Sequence, residues 1–356
     1  MNNRYIKYFV FSILAILFTN FQAQAETPEG KEFDAGEMIT HHIADSHEWH
    51  LWTTTGEDGK EHHVSIPLPI ILYDNVKGLV VFSSGNFHNE KAIHEGFQLS
   101  HEHIYNVDGD GNIVKNAEGN NSAPLDFSIT KNAASIMLSA LILLLVFSAV
   151  ASGYKKNAGK APSGIQSVFE PLILFVRDDI AIPNIGEKKA AKYLPYLLTV
   201  FFFIWVNNLL GLMPTGANAS GNIAFTLTLA VCTALITNFS GNAGYWGHIF
   251  WTPGVPLWLR PIMIIVETVG IITKPFALMI RLFANITAGH IIILSLLCFI
   301  FVFKSFVVGV PVSIFVVLMT FMELFVAALQ AFIFTLLSAL FIGTAVEDHH
   351  HEEAHH

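Results

Sequence analysis

The chain changes its hydrophobic rhythm near residue 130. Before that point, short β-branched runs alternate with turn residues: Val64–Asp74 (VSIPLPIILYD), Gly78–Ser84 (GLVVFSS) and Asn112–Asn116 (NIVKN). Runs of this length, punctuated by Gly, Asn and Asp, predict short strands and a small β-rich domain. Beyond it the apolar tracts become nearly continuous. Asn132–Ala151, Tyr193–Met213 and Asn222–Phe239 are each long enough to cross a bilayer, which takes about 20 residues. Leu257–Phe303 is longer and interrupted by charges, so it predicts one tilted helix or a broken pair. Val307–Thr344 is the fifth tract. The pattern predicts an all-α polytopic membrane protein of about five spans, the last two long and tilted, with a small β-rich exported N-terminal domain.

Flanking charges divide and orient the chain. Arg4 and Lys7, the apolar Tyr8–Phe18 and small residues at Ala23 and Ala25 predict a signal peptide over 1–25. A short membrane anchor is the alternative. Residues 26–130 then form an acidic, His-rich periplasmic segment, and 131–152 the first span. Residues 153–192 carry seven Lys and Arg, whereas the loop Pro214–Gly221 has none. The positive-inside rule places 153–192 in the cytoplasm. Residues 193–346 form the helical bundle, and five spans leave the tail 347–356 in the cytoplasm. Within the cytoplasmic loop, Gln166–Ile180 is apolar but too short to span. It predicts an interfacial amphipathic helix or an ordinary packed one.

Composition sharpens the division. The chain is 53% hydrophobic and 13% charged, against about 25% charged for a soluble domain. That excludes a wholly soluble enzyme, a disordered chain and a nucleic-acid binder. The net charge of −9 hides a split. Residues 26–130 hold 18 acidic and 5 basic side chains, while 193–345 hold six charges: Arg260, Glu267, Lys274, Arg281, Lys304 and Glu323.

The exported segment has ten histidines, and metal binding is the sharper reading of them. Yet His47-Glu48-Trp49-His50 lacks the HExxH spacing, and His101-Glu102-His103 suits a strand better than a helix. Solvated surface histidines fit better, so no metal and no cofactor is expected. Asp108–Asn112 resembles the start of a calcium loop but lacks its later Gly and Glu, so a hairpin turn is expected. Cys232 and Cys298 lie in apolar runs and predict no disulfide framework.

Candidate chemistry sits among the membrane charges. Each costs at least about 2.5–3.5 kcal/mol at the centre of a span. Arg260 and Lys304 lie near tract ends, where snorkelling explains them. Arg281 lies deep in its tract. Glu267, Lys274, Arg281 and Asn285 fall in one stripe at 100° per residue. His290 is nine residues beyond Arg281, on roughly the opposite side and about 13 Å along the axis. Glu323 and Gln330, seven apart, share a face of the last span. Arg stays charged at any physiological pH, whereas His and Glu exchange protons. A fixed positive charge flanked by exchangeable groups suits a proton path. The chain shows no Walker motif, GxSxG or HExxH.

The run from Glu267 through Lys274-Pro275, Arg281-Leu-Phe-Ala-Asn285 and Ala288-Gly-His290 closely resembles subunit a of F-type ATP synthases. So does Glu323-Leu-Phe-Val-Ala-Ala-Leu-Gln330. Weaker similarity runs through Asn207–Pro214 and Asn222–Leu227. The resemblance covers residues 130–346. It implies that Arg281 separates two half-channels and faces the carboxylates of a rotating c-ring, with Asn285 and Gln330 as its polar neighbours. It places Glu267 on the cytoplasmic half-channel and His290 with Glu323 on the other. Many bacterial relatives carry Glu and His at those last two positions in exchanged order. Implied partners are the c-subunit ring, the b subunits of the peripheral stalk and membrane lipid, with no nucleic acid. The implied setting is the cell inner membrane, in a complex that makes ATP, with no catalytic site on this chain. The competing reading is a secondary transporter that binds an anionic substrate at Arg281, but no inverted repeat supports it.

Overall fold

The structure is a computed structural model that describes residues 35–55, 61–87, 92–100, 102–109, 111–115, 120–156, 160–213, 216–251, 255–303 and 305–347. The expected signal peptide, Lys304 and the tail beyond Glu347 lie outside the described residues. Contacts divide the chain into two units: Met1–Ala134 with Met213–Ala217 and Leu294–Val316, and Ser135–Leu212 with Asn218–Ile293 and Val317–His356.

The first unit contains helix α1 (Ala35–Ile43) and eight strands: β1 (Glu48–Thr55), β2 (Glu61–Pro67), β3 (Pro69–Asp74), β4 (Gly78–Ser83), β5 (Ile93–His94), β6 (Phe97–Ser100), β7 (His103–Asn106) and β8 (Leu125–Asp126). They form three small antiparallel sheets, β1-β2, β4-β3-β8 and β5-β6-β7. Alternation along β3 buries Ile70 and Leu72 with Phe87, Phe97 and Ile104, and turns the other face outward. The β-rich expectation holds, with two local differences. Among the described residues the NIVKN run forms no strand but makes isolated bridges, Val107 with Ile113 and Lys115 with Asn121. The Asp108 turn between them closes as a hairpin, with Gly111 and Asn112 amides bonded to Asp108. Glu102, with φ of 63°, turns the chain between β6 and β7, and His103 opens β7; His101 lies outside the described residues.

A second correction concerns His47. It is only 4% exposed and bonds through Nε2 to Asp126 Oδ2 at 2.7 Å, so it is a core histidine and not a solvated one. The bond ties the start of β1 to β8. Asp45 reaches further along the chain: its carboxylate accepts from Thr130 Oγ1 and from the Asn132 amide. The Lys131 amide donates to Ser46 O. Amides at the start of the next helix thus find acceptors, and a carboxylate sits at its positive end.

The second unit is helical. Its elements are α2 (Lys131–Lys156, whose first turn belongs to the first unit), α3 (Ile165–Phe175), a π-helical turn Val176–Ala181, α4 (Ile182–Ile185), α5 (Glu187–Gly211), α6 (Ile223–Ser240), α7 (Ala243–Phe250), α8 (Arg260–Phe303) and α9 (Phe306–Val346), the end of α8 and the start of α9 over Leu294–Val316 belonging to the first unit. Five of these, α2, α5, α6, α8 and α9, are long and apolar enough to span a membrane. The fourth tract is one continuous helix rather than a broken pair. The Gln166–Ile180 segment packs: Val176, Ile180 and Ala181 are fully buried in the bundle core.

Around them lie Leu197, Phe202, Ile204, Leu278, Leu282, Phe334 and Ile342. Lipid is as apolar as these side chains, so packing rather than escape from water holds them together. Polar contacts add direction. Tyr196 Oη lies 2.7 Å from Thr233 Oγ1, which lies 3.3 Å from Ser338 Oγ, linking α5, α6 and α9. Asn208 donates to Ala327 O and accepts from Ser220. Gly343 permits the tightest approach, since a Cβ there would overlap the Asn184 backbone carbonyl. Lys189 Nζ donates to Val346 O, and Asn242 to Ala345 O and Glu347 O, so the last carbonyls of α9 are capped.

The His47–Asp126 bond has a pH signature. Partial burial raises the Asp126 carboxyl, but hydrogen bonds from His47 and Ser128 outweigh it and hold the group at about 2. The folded value lies below the unfolded one. The stabilisation is therefore complete above about pH 4 and is lost as pH falls through about 2. Calorimetry on the detergent-solubilised full chain should show the N-terminal β-rich domain's transition falling over that window. In Asp126→Asn it should be lower at pH 7, with a weaker acid dependence.

Candidate functional site

Helix α8 has 44 residues and a length of about 66 Å, roughly twice the hydrocarbon thickness, so it crosses a membrane only if steeply inclined or bent. Pro275 lies inside it and has no amide hydrogen for the Ile271 carbonyl, a natural place for a bend. Leu278, Met279, Leu282 and Ile286 form its buried face. The predicted stripe runs along one edge of that face. Lys274, Arg281 and Asn285 are exposed and Glu267 is partly so. Among the described residues, Arg281 and Asn285 make no side-chain hydrogen bond or ion pair. Ala277, Ala284 and Ala288 beside them are also exposed.

On the other edge of the buried face, His290 points at α9. Its Nδ1 lies 3.6 Å from Glu323 Oε1, with side chains 18% and 5% exposed. That carboxylate oxygen is buried and makes no hydrogen bond among the described residues. A buried acceptor without a hydrogen bond is costly. Gly289 makes room for it, since a Cβ there would lie 3.2 Å from Glu323 Oε1 and 3.4 Å from its Cδ. Gln330, two turns further along α9, is buried.

The structure thus brings His290 beside Glu323 and, among the described residues, leaves Arg281 unpaired. It also supplies what the sequence reading missed. A cleft of about 250 Å³ opens beside Glu267, lined by Tyr245, His248, Ile271, Lys274, Thr344 and Glu347 among others. His248 Nδ1 is 4.0 Å from Glu267 Oε1. A smaller cavity of about 20 Å³ shares Tyr245, Ile271 and Lys274 and adds Thr233, Thr237 and Asn238. The signal for His248 was a histidine in the short segment between two spans, which periodicity alone does not single out. Arg260 behaves as an end residue: its guanidinium lies 3.8 Å over the Trp251 ring. Among the described residues no cluster of His, Cys, Asp and Glu has metal-site geometry. Both cysteines are free.

The family model for the ATP synthase A chain matches residues 133–343, well over half of the chain. The chain belongs to the ATP synthase A chain family. It is 52% identical over 240 residues to ATP synthase subunit a 2 of Chlorobaculum tepidum, covering 65% of this chain and 66% of that protein. It is also 52% identical over 242 residues to ATP synthase subunit a of Chlorobium phaeobacteroides, covering 65% and 70%. The subunit a of an Anaeromyxobacter species is 44% identical over 271 residues, covering 71% and 64%. The chain thus spans about two thirds of these relatives' length. The family region contains the whole stripe and the His290–Glu323 pair. The N-terminal part of the chain matches a separate domain of unknown function, DUF8433, over residues 38–127.

Glycine 289 offers a check on the pair's geometry. Gly289→Val should push on Glu323 and lower stability by about 1–3 kcal/mol. Gly270→Val, where nothing lies within 4 Å, should cost clearly less. Thermal unfolding of the two variants in detergent compares them.

Proposed function

We propose that this chain is the stator subunit a of an F-type ATP synthase in the cell inner membrane, working against a c-subunit ring and held by b subunits of the peripheral stalk. The observation that carries this is the arrangement on α8. An exposed, unpaired Arg281 stands between two exchangeable sites, the Glu267 cleft and the His290–Glu323 pair. Along the axis they lie about 21 Å to one side of it and about 13 Å to the other. The small residues flanking Arg281 leave space for a partner helix to approach closely. Positive-inside orientation puts the N-terminus in the periplasm and the C-terminus in the cytoplasm, with the Glu267 cleft on the cytoplasmic side.

The mechanism follows from which groups hold a proton. During synthesis a proton enters past Glu323 and His290 and neutralises a c-ring carboxylate. The neutral site then moves into lipid, where a charged one is excluded. After nearly a full turn the site meets Arg281. Its permanent charge favours the carboxylate over the acid, so the proton leaves through the Glu267 cleft. The family resemblance makes Asn285, one turn along α8, and Gln330 on α9 the polar neighbours of that arginine. The same charge repels protons and prevents a direct leak between the two sites. One charge crossing 100 mV releases about 2.3 kcal/mol, so several protons must pass for each ATP, which a multi-site ring supplies. Protons suit the site as coupling ion because His290 and Glu323 both exchange them.

Arg281→Ala should abolish coupled ATP synthesis in membrane vesicles while the complex still assembles. Normal coupled synthesis in that variant would overturn the reading. A transporter binding an anion at Arg281 would instead lose substrate uptake and keep ATP synthesis.

A further inference from the structure

The cleft beside Glu267 contains a second titratable side chain that the mechanism above does not use. We infer that His248 is a relay group, carrying protons between Glu267 and the water on that side of the membrane. The inference rests on the reading of Glu267 as a half-channel residue.

Geometry comes first. His248 Nδ1 and Glu267 Oε1 are 4.0 Å apart, and the histidine is the more exposed of the two, 46% against 28%. Glu267 therefore faces inward and His248 outward within one cleft. The separation is about 1 Å longer than a hydrogen bond, a gap that a side-chain rotation closes. The ring is carried on a well-fixed helix. Asn242 caps α7 by accepting from the Tyr245 amide, and its own amide groups donate to Ala345 O and Glu347 O at the end of α9. Tyr245 Oη donates to Asn238 Oδ1 on α6. The histidine is thus positioned against both α8 and α9 rather than left on a loose loop.

Chemistry comes second. An imidazole has two nitrogens and an ordinary pKa near 6.5, so it takes a proton at one and gives one up at the other close to neutral pH. In synthesis, the proton on the Glu267 carboxyl transfers to His248 Nδ1, leaving a carboxylate and an imidazolium. The imidazolium then releases its Nε2 proton to water, and tautomer exchange through solvent restores the starting ring. A carboxyl releasing directly to water has one acceptor step fewer but a poorer match to neutral pH. The groups facing the ring from neighbouring elements are Glu267 and Lys274 on α8, Glu347 after α9 and Tyr245 on α7 itself. Lys189 on α5 is held at the adjacent Val346 carbonyl.

The test uses the assembled ATP synthase in inside-out vesicles, whose outer face is the cytoplasmic one. Respiration-driven ATP synthesis is measured from about pH 5.5 to 8.5 for the parent, His248→Gln and His248→Ala. Both variants should assemble, synthesise several-fold more slowly near pH 7, and lose the part of the pH profile that falls near the imidazole range. Added imidazole should restore the rate of His248→Ala. Parental rate and profile in both variants would overturn the inference. So would a lower rate with an unchanged profile and no imidazole rescue, which would leave His248 a structural role at the last turn of α7. Failure of the underlying reading shows separately, as coupled synthesis that survives Arg281→Ala.

Discussion

A permanent charge inside a bilayer is expensive, and a guanidinium cannot escape the cost by losing its proton. Arg281, deep in α8, is such a charge. The buried face of α8 packs Leu278, Leu282 and Ile286 into the core. That packing fixes the rotation of the helix and so holds the stripe of Glu267, Lys274, Arg281 and Asn285 at its edge. The same rotation sends His290 to the far edge, against Glu323. One helix register thereby sets the Glu267 cleft and the His290–Glu323 pair on different sides of the arginine.

The supporting contacts are polar where lipid gives packing little direction. Asn208, Ser220, Tyr196, Thr233 and Ser338 tie α5, α6 and α9 together. Gly343 and Gly289 each allow an approach that a side chain would block, one to the Asn184 backbone and one to Glu323. At the end of α9, Lys189 and Asn242 satisfy carbonyls that would otherwise lack partners. Asn242 also ties the start of α7, which carries His248, to the end of α9.

Much of this was legible in the sequence, for a physical reason. Lipid forces continuous apolar tracts, so spans announce themselves, and the rare charges within them stand out. The stripe on α8 and the Glu323–Gln330 spacing follow directly from helical periodicity. What the sequence hid depends on tertiary contact. His47 reads as a surface histidine until Asp126, 79 residues away, is seen to bond it. His248 has no periodic partner, because Glu267 reaches it only through the packing of α7 on the bundle. The HEH run suits a strand better than a helix, and His103 does open β7, but the left-handed turn at Glu102 is set by the pairing of β6 with β7.

Water access from opposite sides is the claim on which everything else rests. Replacing Cys232 and Cys298 by serine and placing one cysteine at either position 267 or position 290 permits side-specific labelling with a membrane-impermeant thiol reagent. The account predicts that a cysteine at 267 is labelled from the cytoplasmic face and one at 290 from the periplasmic face. Labelling of both from the same face would contradict it.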